Sequence, residues 1–198
     1  MSDLFQEKGL NIEYSKVILS GSDINIFNQN QKEYWNKKSI FKIVSHHWSQ
    51  NWMKGFDTYK FIDDLLEKPE WSNRISFTYI GNLPKNFLFS NTEVLKPLSG
   101  SELANQLKSF DGYVTGSINE PSGNHHIEAM QCGLPVFYIN SVGIPEYCKE
   151  NGLVFENENL ESQLDIFIDN YQEYVNNLKK YTNNSDRMSK EFLDLFMY

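Results

Sequence analysis

Cysteine is nearly absent from this chain: two occur in 198 residues, Cys132 and Cys148, with no CxxC spacing. That leaves no disulfide framework, and both thiols sit in apolar surroundings, as reduced core residues of a reducing compartment would. Long apolar runs are also missing. No stretch approaches the roughly 18 residues that cross a bilayer, and Met1-Ser2-Asp3-Leu4-Phe5 has neither a basic n-region nor an apolar h-region. The expectation is a soluble, cytoplasmic protein with at most peripheral membrane contact. Positive charge is in deficit as well. The formal net charge is −8 and the pI is near 5.0, with no clustered basic face, so no nucleic-acid partner is expected. A small anion is not excluded, because one helix N-terminus and one lysine can hold a diphosphate whatever the global charge. Three motifs are lacking too. No G-x-G-x-x-G follows the first strand, no Walker loop is present, and Ser45 and Ser49 have neither a G-x-S-x-G frame nor an Asp/His order around them. These absences count against a dinucleotide oxidoreductase, a P-loop enzyme and a serine hydrolase.

What is present can fill a core. Apolar residues make up 40% of the chain and aromatics 15%, enough for one domain of ordinary size. Residues 1–38 read as a polar lead-in or linker with one short strand, Tyr14 to Gly21. From Ser39 to the end the pattern becomes periodic. Strands are expected at Ile40–Ser45, Ile75–Gly81, Thr92–Lys96, Gly112–Thr115, Leu134–Ile139 and Leu153–Phe155. A helix opens at Lys54-Gly55 and runs to about Glu67, another starts at Ser99 with a serine cap available, and a short one covers Ile144–Cys148. From Leu160 the pattern is helical, with a polar break at Thr182–Ser185. Such alternation predicts an α/β fold: one Rossmann-like, doubly wound parallel sheet of about six strands with helices on both faces.

In that architecture ligands lie outside the carboxyl ends of the strands. The loops after Val44, after Ile80 and over Ser117–Asn124 converge there, bringing Lys54, Gly81 and Glu120 to one rim. Glu120 and Glu128 have seven residues between them and flank a helix start at Gly123, Asn124 and His125. Free N–H groups in that first turn suit a phosphate, and carboxylates suit the hydroxyls of a sugar or ribose diol. Equally, Glu120 reads as a helix N-terminal acid and Glu128 as a surface residue. Lys54 is either a point charge for a diphosphate or a solvated lysine. The pairs His46-His47 and His125-His126 fall in loops at the same rim. Adjacent histidines rarely both ligate one ion, so a packed or phosphate-contacting role is favoured over a metal. Trp48, Trp52 and Phe56 read as a base-stacking platform or as core.

The run Glu120-Pro121-Ser122-Gly123-Asn124-His125-His126-Ile127-Glu128, continued by Ala129-Met130-Gln131-Cys132-Gly133-Leu134-Pro135-Val136, resembles the E-x7-E signature of retaining GT-B glycosyltransferases of the large group 1, family four. Other marks follow in order. They are Gly21-Ser22-Asp23 with Phe27, Lys54-Gly55-Phe56-Asp57, Tyr79-Ile80-Gly81, Gly143-Ile144-Pro145-Glu146 and Asn151-Gly152-Leu153-Val154, and the match covers about residues 15–156. The resemblance implies the C-terminal, donor-binding half of a GT-B fold, taking a UDP- or GDP-sugar for hexosyl transfer in polysaccharide or glycoconjugate synthesis. Glu120 would be the catalytic residue, contacting the donor sugar. The donor-binding set would be Lys54, Ser49, Gly81, Pro97, Leu98, Gly123, Asn124, His125 and Glu128. No metal or other cofactor is implied, since the protein would supply the positive charge itself.

Two departures stand out. The family carries an arginine shortly before the lysine, and none occurs from His46 to Met53. The family also has an N-terminal acceptor-binding half, which this chain does not include. A separate acceptor domain or subunit is therefore an expected partner, and the alternative is a non-catalytic module that binds nucleotide sugar or docks a partner. The same departure predicts poor support for a strand at Val17-Ile18-Leu19.

Overall fold

The structure, a computed structural model, describes residues 7–9 and 16–197. Six strands form one all-parallel sheet: β1 (Phe41–His47), β2 (Ile75–Gly81), β3 (Glu93–Leu95), β4 (Gly112–Thr115), β5 (Val136–Ile139) and β6 (Gly152–Phe155). Their spatial order is β3-β2-β1-β4-β5-β6. The chain winds outward from β1 to β3, returns to β4 on the other side of β1, and winds outward again. The reversal between β1 and β4 leaves a crevice at their carboxyl ends.

Alternation along each strand splits the core into two layers. Phe41, Ile43, Phe77, Tyr79, Val114, Phe137 and Ile139 join one layer, while Val44, Ile80, Tyr113, Val136 and Tyr138 join the other. The first layer is covered by α1 (Phe56–Leu65), α2 (Pro69–Ser72), α6 (Leu160–Asp169) and α7 (Tyr171–Leu178). The second is covered by α3 (Gly100–Leu107), α4 (Asn124–Gln131) and α5 (Ile144–Cys148). A last helix, α8 (Ser185–Phe196), has no buried residue. Aromatics dominate the first layer, where Phe137 and Phe155 lie 4.4 Å apart between centroids and Phe41 packs edge-on against Phe167 and Tyr171.

The expected fold class is the one observed, with local differences. β1 runs on to His47, so His46 and His47 stand in a strand and not in a loop. The long terminal helix is broken at Asn170 into α6 and α7. Ser99 occupies the N-cap of α3, but its side chain makes no capping bond. The expected strand at Tyr14–Gly21 is not formed: Tyr14 and Ser15 lie outside the described residues, and Lys16–Gly21 is irregular. No strand of the sheet lies beside this segment, Val17 is 65% exposed, and the nearest ladder contact is a single bridge from Ser22 to Asn184. The segment after it is anchored instead by side chains. Phe27 enters the second core layer. The buried Lys32 ammonium donates to the carbonyls of Lys108 (3.2 Å) and Phe110 at the carboxyl end of α3, where the helix dipole favours a cation. Burial nonetheless pulls the Lys32 pKa down to about 8, against the opposing pull of Asp111.

Asp63 on α1 fixes the outer strand. Its carboxylate is wholly buried and accepts from Ser90 N–H (2.9 Å), Asn91 N–H (2.8 Å), the Thr92 hydroxyl (2.8 Å) and Lys60 (3.0 Å), holding the chain just before β3. Burial pushes its pKa up, and these donors together bring it below the ordinary value. A depressed folded-state pKa stabilises the fold above the unfolded value and ceases to do so as pH falls through the folded one. Asp63→Ala is expected to cost roughly 2–4 kcal/mol at pH 7 by urea unfolding. The gap to the native protein narrows as pH drops below about 4.

Candidate functional site: a carboxylate–lysine cleft at the sheet's switch point

A cleft of about 620 Å³ opens at the carboxyl ends of β1 and β4, lined among others by His46, His47, Ser49, Lys54, Glu120, Gly123, Asn124, His125 and Glu128. A second cavity, about 510 Å³, lies at the amino edge of the sheet around Lys42 and Asp111. Doubly wound sheets present their loops and helix N-termini at the carboxyl edge, so the first is the candidate site.

Lys54 reaches this cleft because two glycine backbones touch. Asn51 caps a short 3₁₀ turn, Trp52–Lys54, through its side chain to Met53 N–H (3.0 Å). Gly55 then turns the chain at φ +100° into α1. A Cβ on Gly55 would lie 2.5 Å from the carbonyl carbon of Gly116, and one on Gly116 would lie 2.3 Å from Thr58 Oγ1. The contact is tied on either side by Ile118 N–H to Met53 O (2.9 Å) and by the Ser117 hydroxyl to Lys54 O (3.4 Å). The loop after β4 is thereby clamped to the start of α1, and Lys54 forms an ion pair with Glu120, both side chains being partly buried.

The Glu120 loop is fixed from its other side by the loop after β5. Asn119, at φ +56°, donates its N–H to Ser141 Oγ (2.9 Å), and Gly143 N–H donates to Glu120 O (3.3 Å). The helix α4 follows with Gly123 at its N-cap and no side-chain capping bond, so its first amides have no side-chain partner among the described residues. Eight residues after Glu120, Glu128 Oε2 accepts from His46 Nε2 at 3.1 Å.

All four histidines are buried in one group under the cleft. The rings of His47 and His125 lie 4.5 Å apart, and those of His125 and His126 lie 4.8 Å apart. His47 Nε2 is 2.7 Å from the Tyr59 hydroxyl, and His125 Nε2 is 3.0 Å from Thr115 Oγ1. Burial holds His47 and His125 neutral, far below the usual imidazole range, and brings His126 down to about 3. Neighbouring imidazoles push each further down, and Lys54 adds to this for His47 and His125. Among the described residues no three His, Cys, Asp or Glu side chains are grouped as metal ligands would be.

Of the residues expected at the site, Lys54, Ser49, Glu120, Gly123, Asn124, His125 and Glu128 meet at this cleft. Gly81 does not line it. β2 lies on the side of β1 away from the reversal, and the His47 carbonyl covers Gly81, lying 2.0 Å from where a Cβ would be. Pro97 and Leu98 fall just short as well. Leu98 packs on the second core layer, while the next residues, Ser99 and Gly100, line the cleft with Leu103. Ile26, Phe27 and Ser122 line it unforeseen, as does the network through Tyr59 and Thr115. Tyr59 falls at helical spacing with its apolar neighbours, and Thr115 closes an apolar strand, so neither carries a polar signal in the sequence.

A parallel α/β sheet of this order, with a cleft at its reversal, is the doubly wound Rossmann-like arrangement, which the halves of GT-B glycosyltransferases share. The sequence model of the family described as "Glycosyl transferases group 1" matches residues 85–186, more than half of the chain. The chain belongs to that family. A search of curated protein sequences found no match. Solved structures share the fold at low identity. A glycosyltransferase from Rickettsia africae superposes with a TM-score of 0.73 at 14% identity, covering 98% of this chain and 60% of that one. Anabaena HepE, crystallised with UDP-glucose, gives 0.68 at 18% identity, with the same two coverages. The C-terminal domain of a group 1 glycosyltransferase (LpcC) from Francisella tularensis gives 0.58 at 18% identity, covering 87% of this chain and 98% of that one. Against TarM the chain spans 37% of the partner's length, and against HepE 60%.

Gly55→Ala would place a methyl group against Gly116 at an unfavourable φ. A loss of at least about 2 kcal/mol in thermal or urea unfolding is expected, whereas Gly9→Ala, also at positive φ but with a Cβ that meets nothing among the described residues, should cost less.

Proposed function

We propose that this chain is the donor-binding half of a retaining glycosyltransferase that takes a UDP- or GDP-sugar. The observation that carries the reading is the joint placement of Glu120, Lys54, the uncapped start of α4 and Glu128 around one cleft. A diphosphate set against α4 would meet free N–H groups and the positive end of the helix dipole, worth roughly half a unit charge. Lys54 supplies a full charge. In the ligand-free protein that charge is spent on Glu120, so a bound diphosphate would draw the lysine away and leave Glu120 to the sugar hydroxyls. Glu128, with Oε2 accepting from His46, keeps Oε1 for a ribose diol.

In the transfer, the bond from the anomeric carbon to the diphosphate oxygen breaks, the oxygen of an acceptor hydroxyl bonds to that carbon on the same face, and the hydroxyl proton passes to the departing diphosphate. Negative charge collects on the departing diphosphate, where Lys54 and the α4 amides stand. Positive charge collects on the sugar ring, beside Glu120. With the lysine and the helix opposite the leaving group, the reaction has no need of a metal. Among the described residues no helix is long and apolar enough to cross a membrane, which fits a cytoplasmic enzyme handling a soluble donor.

A second reading has one observation in its favour. Both carboxylates of the cleft are already engaged, Glu120 by Lys54 and Glu128 by His46, as in a module that binds nucleotide sugar without transferring it. Isothermal titration with UDP, GDP and their sugars tests the shared part: Glu128→Ala is expected to weaken binding about ten-fold or more. Nucleotide binding that is absent, or is indifferent to this substitution, contradicts it. Donor hydrolysis or transfer by the chain alone, abolished in Glu120→Gln, would exclude the second reading.

A further inference from the structure

Lys54 is the one lysine or arginine among the described residues lining the cleft, and Glu120 already engages it. Much of the remaining polar wall is histidine, and the hydrogen bonds beneath decide which ring nitrogen is left for a ligand. The Tyr59 side chain is fully buried, and burial keeps its phenol protonated. A buried O–H requires an acceptor, and His47 Nε2 at 2.7 Å is in reach. The Ser45 and Thr115 hydroxyls also lie beside the phenol, but His47 Nε2 is the nitrogen acceptor there, and with the phenol donating to it the ring proton of His47 rests on Nδ1. At His125, Thr115 Oγ1 accepts the N–H of Ser117 (3.3 Å) and lies 3.0 Å from Nε2; a hydroxyl donating to that nitrogen leaves the His125 ring proton on Nδ1. His126 Nδ1 points at the same Nε2 from 3.4 Å, while His126 Nε2 is buried without a partner. A stranded acceptor is tolerated more often than a stranded donor, which favours the His126 proton on Nδ1 and is consistent with His125 Nε2 as an acceptor. His46 is the opposite tautomer, because Glu128 can only accept from its Nε2–H.

We propose that His47 and His125 are paired, uncharged hydrogen-bond donors to the phosphate oxygens of the bound nucleotide sugar, each presenting Nδ1–H to the cleft. The inference rests on the donor-binding reading above and adds to it how a site with one cation holds a diphosphate. The two rings meet at 63° with centroids 4.5 Å apart, so their edges lie in different planes beside one cleft. Donors fixed by hydroxyls in a buried site need no reorganisation when the anion arrives and are stronger there than in water. Ligand charge is then balanced by Lys54 and α4 alone, with the imidazoles adding directional bonds.

The full chain labelled with 15N-histidine tests this by NMR of the imidazole nitrogens. In the free protein, His47 and His125 should show a protonated Nδ1 and a bare Nε2, and His46 the reverse. Saturation with UDP-glucose or GDP-mannose should shift both Nδ1–H signals. His125→Asn places an amide nitrogen near the site of Nδ1, and His125→Gln places it near Nε2. The first should keep donor affinity within about three-fold, and the second should lower it about ten-fold. An Nε2–H tautomer at either ring, unmoved Nδ1 signals at saturation, or equal affinities in the two variants would overturn the proposal. If the wild-type chain binds neither donor, or Glu128→Ala leaves affinity unchanged, the donor-binding reading fails and this inference fails with it. Donor binding through Glu128 with silent imidazoles refutes only the histidine pair.

Discussion

The close approach of Gly55 to Gly116 is the constraint on which the site depends. The parallel sheet brings the carboxyl ends of β1 and β4 side by side but does not by itself bring their loops together. A Cβ at Gly55 would sit 2.5 Å from the Gly116 carbonyl carbon, and Gly55 has φ +100°, so glycine is needed there on both counts. Once the two backbones touch, Lys54 faces Glu120 and the start of α1 is locked against the strand that precedes the Glu120 loop.

Electrostatics in the cleft follow from that clamp and from burial. One cation faces two carboxylates, each already engaged, Glu120 by Lys54 and Glu128 by His46. Four imidazoles stand directly beneath. Three of them are held neutral, burial being the largest cause and their mutual proximity adding to it. The wall is polar and rich in fixed donors and acceptors, yet carries little net charge. Such a surface suits a ligand whose own charge is concentrated at one point, with hydroxyls on either side of it. A sugar nucleotide has that form.

Much of this was legible in the sequence. Alternating apolar strands and amphipathic helices are local patterns, and they indicated the sheet, its parallel connections and two covering layers. Glu120, Lys54 and Glu128 were legible because strand ends in such sheets converge on one edge. What was not legible depended on order across the sheet. Gly81 follows a strand end like the others, but β2 lies beyond β1 from the reversal, and nothing in the local sequence says so. Val17-Ile18-Leu19 is apolar enough for a strand yet forms none in the absence of a neighbour to pair with. The histidines looked like loop residues because the apolar run stops at Val44. Pairing with Ile80 and Gly81 of β2, and the Tyr113 hydroxyl that accepts from His46 N–H, carry β1 on to His47 as a polar, buried strand end, where the Tyr59 hydroxyl meets the His47 ring.

The central claim is that the cleft between β1 and β4 is a sugar-nucleotide site. A crystal structure of the chain with UDP-glucose or GDP-mannose tests it most directly. The account predicts diphosphate density at the start of α4, within reach of Lys54 released from Glu120, with the ribose hydroxyls on Glu128. Donor density in the amino-edge cavity around Lys42 and Asp111, or a Lys54–Glu120 pair left intact beneath a bound diphosphate, would contradict it.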